Sequence, residues 1–193
     1  MRSRRLPQAV EINGKTYPIN HNGDYEIALD IMEVLKDKDL SESEKAYTAL
    51  CIFYNFNYPQ DADGLKKALD EVVNFIDCGA TENKEKPQSQ RPLLMDWNKD
   101  FDMIADAIIP IIGYDVREAG KYTHWWTFVG AYNQIGEGPF NTIVSIRTKK
   151  QKHKKLDKWE EEFYIENREK IDLDVNFSAE EEQFFKEILG DKY

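Results

Sequence analysis

Apolar positions along the chain change period once near its start and then keep a helical spacing almost to its end. Ala9-Val10-Glu11-Ile12 and Lys15-Thr16-Tyr17-Pro18-Ile19 flank Asn13-Gly14, the dipeptide that best supplies positive φ at both centres of a type I′ turn, so the spacing predicts a β-hairpin. From Asp24 the period becomes about 3.6. Ile27, Ala28, Ile31, Val34 and Leu35 share one face of a first helix. Ser41 with Glu44 three residues later announces a second by a capping box; its stripe is Ala46, Ala49, Leu50, Phe53 and Phe56, and Tyr58-Pro59 stops it. A third, from about Asp61 to Ile76, carries Leu65, Leu69, Val72, Val73 and Ile76. Three amphipathic helices with short connections pack as antiparallel neighbours.

The segment from Gly79 to Pro92 has almost no apolar side chain and contains Gly79, Asn83, Pro87, Ser89 and Pro92. It cannot repay the entropy of ordering and reads as a linker. Beyond it, Phe101, Ile104, Ala105, Ile108, Ile111 and Ile112 form a helical stripe, with Pro110 at a kink or a last turn and Gly113 at its end. His124-Trp125-Trp126-Thr127-Phe128 opens another helix, with Trp125, Phe128, Val129 and Tyr132 on one face and Gly136-Glu137-Gly138 closing it. Pro139 suits the first turn of the next, which carries Phe140, Ile143, Val144 and Ile146. Leu156, Trp159 and Phe163 restart a stripe running to about Lys170, and Ser178 with Glu181 caps a terminal helix with Phe184, Phe185, Ile188 and Leu189. The chain is therefore expected to be mainly α, a helical bundle-like protein with an N-terminal β-hairpin. The division is hairpin 1–23, helical region 24–78, linker 79–92 and helical region 93–193.

Charge changes this picture more than length does. A net charge of −10 repels nucleic acid and anionic membranes as a whole, so only a local basic patch could meet either. Such a patch exists: residues 147–158 hold seven basic side chains and the single acid Asp157. Cys51 and Cys78 lie in apolar helical patterns, as small buried side chains would, and fit a reducing compartment. The basic start Met1-Arg2-Ser3-Arg4-Arg5 is followed by Pro7, Gln8 and Glu11 instead of the apolar core of a signal peptide, and no apolar run reaches membrane-spanning length. A cytoplasmic protein is expected.

Candidate chemistry is thin. Asp96, Asn98, Asp100 and Asp102 alternate as in a calcium loop, but Phe101 stands where the turn needs glycine and Ala107 where a bidentate glutamate belongs. His21, His124 and His153 pair with no second ligand at metal spacing, and Cys51 sits in a core stripe with no assigned base. Gly136-x-Gly138 follows a helix and lacks a third glycine, so it reads as a turn. No catalytic residue, metal site or cofactor is assigned, and no enzyme is expected. Trp125 and Trp126 point about 100° apart on a helix, so one belongs to the core and the other to an edge, where it either caps the core or anchors a partner. The basic block has three readings: a solvated helix end, a dock for an acidic protein surface, or a phosphate-contacting patch.

Several of these residues together carry a likeness. Asp100-Phe101-Asp102, Ile104-Ala105-Asp106-Ala107, Gly113-Tyr114-Asp115-Val116, His124-Trp125-Trp126-Thr127-Phe128 and Ile143-x-x-Ile146-Arg147 before the lysines resemble the gene-product-fifteen family of tailed bacteriophages and of prophages of Gram-positive hosts. The likeness spans about residues 24–173 and is strongest from 96 to 164. It implies a tail assembly chaperone in the host cytoplasm that binds the tape measure protein, and tail tube subunits with it, with self-association left open. It brings no catalytic residues. The partner-binding residues expected on this reading are Trp125, Trp126 and Phe128 for a partner helix, and Arg147, Lys149 and Lys150 for its acidic groups. The alternatives are a structural virion component, as a connector or tail-completion protein, and a nucleic-acid-binding accessory acting through residues 147–158.

Overall fold

The computed structural model of the chain describes residues 5–80 and 94–173. Those residues are mainly helical: one two-stranded antiparallel sheet precedes eight α-helices. The expected terminal helix and most of the expected linker lie outside the described residues. The described part falls into two compact units. One gathers the described residues up to 80 with Phe101–Phe140, and the other gathers residues 94–100 with 141–173. The aromatic segment thus belongs with the N-terminal helices.

In the first unit, strands β1 (Ala9–Ile12) and β2 (Lys15–Pro18) pair with Val10 opposite Tyr17 and Ile12 opposite Lys15. Asn13 and Gly14 take φ of 52° and 75°, as a type I′ turn requires. A two-stranded hairpin is marginal alone, and this one is laid on helices. Tyr17 is buried with its ring edge-on to Tyr54, 6.3 Å between centroids. Lys67 Nζ donates to both Asn13 Oδ1 and Asp63 Oδ2 at 2.6 Å, tying the turn to the third helix.

Helices α1 (Tyr25–Lys36), α2 (Glu42–Tyr54) and α3 (Ala62–Ile76) follow. The Ser41/Glu44 capping box forms as the sequence predicts, and Asp61 Oδ1 accepts from Gly64 N at 2.9 Å to start α3. Two stripes differ from the periodicity reading. Helix α2 stops at Asn55, which turns left-handed at φ 47°, before Tyr58-Pro59 is reached. Phe56 is consequently 70% exposed, and Tyr54 takes the interior place with its hydroxyl on the Ala68 carbonyl at 3.1 Å. On α3 the buried face is Gly64, Ala68, Val72 and Phe75, while Val73 is 48% exposed. Small residues win this face because α3 is approached closely: a Cβ on Gly64 would overlap Pro59 Cβ. A reading weighted by side-chain size sees Leu65 and Leu69 instead.

Helix α4 (Phe101–Ile112) buries Ile104, Ala105 and Ile108, keeps Pro110 in its last turn, and ends at Gly113 with φ 86°. Helix α5 (Trp125–Tyr132) is shorter than expected, ending at Asn133. Helix α6 (Pro139–Gln151) begins at the proline that the sequence places in a first turn. In the second unit α7 (Lys158–Glu166) is opened by an Asp157/Glu160 capping box, and a break at Asn167 separates it from α8 (Arg168–Ile171), so the single expected helix is two. Among the described residues no helix is long and apolar enough to cross a membrane.

Candidate partner-binding surface

The segment Thr123-His124-Trp125-Trp126 is held from both sides before it becomes α5. Tyr25 N donates to the Thr123 carbonyl and Trp125 N to the Gly23 carbonyl, both at 2.9 Å, so the starts of α1 and α5 form a short antiparallel bridge. Asp24 serves both: Oδ1 accepts from Glu26 N at 3.2 Å as the α1 cap, and Oδ2 accepts from Thr123 N at 3.0 Å. His124 caps α5, with Nδ1 accepting from Trp126 N at 3.1 Å while Nε2 lies 3.0 Å from the Pro7 carbonyl. Those partners require a neutral ring with its proton on Nε2. Burial lowers its pKa from the ordinary 6.5, outweighing the opposite pull of the Pro7 carbonyl and Asp24.

Both tryptophans then do the same job. Trp125 Nε1 donates to the Ile76 carbonyl at 3.0 Å and Trp126 Nε1 to the Phe75 carbonyl at 2.9 Å. These carbonyls belong to the last turn of α3, where the helix ladder runs out, and the Phe75 carbonyl also accepts from Cys78 N at 3.0 Å. As the 100° argument requires, Trp125 is core at 2% exposure and Trp126 is half-buried at an edge. Phe128 is wholly buried in a row of parallel rings: Tyr25 lies 4.8 Å from it and Trp125 5.8 Å, and Phe101 stacks 6.0 Å from Tyr25. Of the three aromatic residues expected to meet a partner, Trp125 and Phe128 are enclosed in the first unit, where their apolar rings are removed from water. Trp126 keeps one accessible side, and its N–H is already used.

The basic residues turn inward in the second unit. Arg147 is 6% exposed and meets Asp100, which is wholly buried, through two bonds: NH1 to Oδ2 at 2.6 Å and NH2 to Oδ1 at 2.9 Å. Its other three N–H groups reach main-chain carbonyls: Nε to Ile171 at 2.7 Å, NH2 to Lys170 at 2.8 Å and NH1 to Leu94 at 3.2 Å. All five donors of the guanidinium are thus spent inside the unit, joining α6, α8 and segment 94–100. Arg147, expected to meet a partner's acidic groups, is an internal fastening of this unit. A signal for this was present in the sequence, since Arg147 stands four residues after the buried Ile143, on the same helical face.

Lys149 pairs with Glu160, the buried cap partner of α7. Lys150 pairs with Asp172 and sits 3.7 Å over the Tyr164 ring. Burial would raise the Asp172 carboxyl, but hydrogen bonds from Lys150, Tyr164 and Arg168 outweigh it and hold the group below its ordinary range. The acids that alternate like a calcium loop are committed too. Asp96 Oδ1 accepts from Asn98 N and Lys99 N, and Asp100 from Arg147. No group of metal-ligating side chains occurs among the described residues.

Two of the solvent-open features among the described residues combine apolar with charged side chains. One is an apolar groove of about 400 Å³ in the first unit, between the outer face of α4 and the α5–α6 connection. Met103, Ala107, Pro110, Ile111, Ile135 and Phe140 line it, with Glu137 and the Arg117-paired Asp106 among its polar members. The other is the α6–α7 connection with the exposed Trp159. Sequence reasoning missed the groove, which forms from residues some thirty positions apart, whereas the lysines of the α6–α7 connection lie within the basic block for which a dock for an acidic protein surface was one reading.

The decisive comparison is at family level. Residues 3–173 match the profile of a family described as Bacteriophage Gp15 protein. The chain belongs to the bacteriophage Gp15 family. The match takes in the aromatic segment, Asp100 and Arg147, so the motifs that suggested the likeness include the residues that fasten both units. No curated protein and no solved structure matches the chain.

Proposed function

We propose that this Gp15-family protein is a tail assembly chaperone that acts in the host cytoplasm, holding the tape measure protein until tail tube subunits assemble around it. The observation that carries the reading is the open apolar groove of about 400 Å³ along α4, whose volume lies in the range that receives several side chains of a partner. A long helical partner presents apolar side chains at a spacing of three and four residues, and a groove beside one helix suits that pattern. Acidic net charge supports the reading as well, because it keeps a chaperone and its adhesive client dispersed.

Co-expression with the tape measure protein encoded by the same phage genome tests it. A soluble complex is expected, and Ile111→Glu, which puts a charge into the groove at a position 36% exposed, should abolish it while leaving the fold unchanged. If the wild-type chain neither binds nor solubilises the tape measure protein, the reading fails. Stable recovery of the chain in purified virions would favour a structural component instead.

A further inference from the structure

Three of the seven basic side chains in the sequence's basic block are consumed by the fold, and the other four are not. Arg147, Lys149 and Lys150 have internal partners, whereas Lys152, Lys154 and Lys155 are exposed in the α6–α7 connection with no ion pair among the described residues. Lys158, at the start of α7, is held only loosely by Glu162 at 4.0 Å, with its own side chain 92% exposed. Directly after it stands Trp159, 58% exposed and stacked on Phe163 at 5.4 Å with 27° between ring planes. A large ring supported from one side and open on the other is costly to leave in water. Four lysines among the seven positions that precede it make this exposed stretch both basic and aromatic on a chain of net charge −10.

We infer that the α6–α7 connection, with Trp159 at its edge, is a docking surface for a short acidic segment of a partner protein that carries an aromatic or apolar side chain. Charge complementarity selects the acid, and the open ring of Trp159 selects the apolar anchor. A nucleic-acid strand fits less well. Its phosphates need a continuous basic track, and here the exposed acids Glu161, Glu162 and Glu166 follow the lysines along α7. This surface is distinct from the groove along α4, and the inference stands whichever phage protein that groove holds.

The probe is a short labelled peptide of alternating glutamate and phenylalanine, titrated onto the full chain, with a glutamine–phenylalanine peptide and an oligothymidylate of equal charge as controls. The acidic peptide should bind with an affinity that falls as salt rises, and should shift the indole N–H resonance of Trp159. Lys152→Gln/Lys154→Gln/Lys155→Gln should weaken it about tenfold and Trp159→Ala about thirtyfold. Both variants alter only exposed groups, and an unchanged circular dichroism spectrum checks that they fold. No binding of the acidic peptide, equal binding of the glutamine peptide, or binding untouched by either variant would overturn the inference. Tighter binding of the oligothymidylate would assign the surface to nucleic acid. A salt-sensitive dimer abolished by the triple variant would assign it to a second copy of this chain; either result also overturns the proposal.

Discussion

The two tryptophans of the first unit and the arginine of the second meet the same structural need with opposite chemistry. Each supplies donors to main-chain carbonyls at a helix end: Trp125 and Trp126 to Ile76 and Phe75 at the end of α3, Arg147 to Lys170 and Ile171 in α8. The indoles bring one donor apiece inside a large apolar body, and they are used where many aromatic rings already pack, from Phe101 through Tyr25 and Phe128 to Trp125. Arg147 brings five donors and a charge, and it joins three chain segments at one point, at the cost of burying Asp100 to neutralise it. The first arrangement loses stability in proportion to the apolar area removed. The second fails abruptly when one partner goes.

That contrast orders the expected effects. Arg147→Ala takes the counter-ion from the buried Asp100 carboxylate, which keeps only the bond from Asp96 N among those described, removes a donor from three carbonyls, and should cost about 3–5 kcal/mol in a urea titration. Arg147→Lys should recover only part of this, since an ammonium has three donors and no fork. A loss below about 1 kcal/mol for the alanine variant would break the comparison, because surface ion pairs are worth that little. Trp125→Ala comes next, at about 3–5 kcal/mol in the same range for cavity reasons, while Trp125→Phe should lose nearer 1–2 kcal/mol. Hydrogen exchange should place the damage in α3 and α5 for Trp125 and in α6 and α8 for Arg147. Identical exchange patterns would show that the two fastenings are not local.

Smaller effects sharpen the picture. His124 caps α5 as a neutral ring with a depressed pKa, so the unfolded chain takes up its proton first. The cap's contribution is whole above about pH 6.5, the ordinary histidine value, and is lost as the pH falls from there toward the lower folded value. His124→Asn keeps an acceptor for Trp126 N and removes the titration, so thermal stability should lose its slope between neutral and mildly acid pH. A slope unchanged by that substitution would place its origin elsewhere. Lys149→Gln breaks a pair that is partly open to water, 34% exposed at the lysine, and should cost well under 1 kcal/mol by melting temperature.

Much of the architecture was readable from the sequence because local physics specifies it. The Asn13-Gly14 turn, the Ser41/Glu44 box, Pro139 at a helix start and the Gly113 stop each depend on a few neighbouring residues, and all occur where the pattern predicts them. The burial of the aromatic segment was half-legible: two adjacent tryptophans cannot share one face, but nothing in their own neighbourhood reveals that α3 ends beside them. The same limit hid the ion pair. Asp100 and Arg147 lie forty-seven positions apart, so although the place of Arg147 on the Ile143 face hinted at burial, nothing local named Asp100 as its partner.

The chain by itself determined its helical class, its hairpin, most helix starts and its place among the Gp15 proteins, since periodicity, caps and motifs are properties of consecutive residues. Only the tertiary structure decided which conspicuous side chains were free to meet a partner. A donor is spent or available according to what lies within about 3 Å of it, and that neighbour is brought by the fold from elsewhere in the sequence. Packing thus turned Trp125, Phe128 and Arg147 inward and left Trp159, the trailing lysines and the groove along α4 as surface.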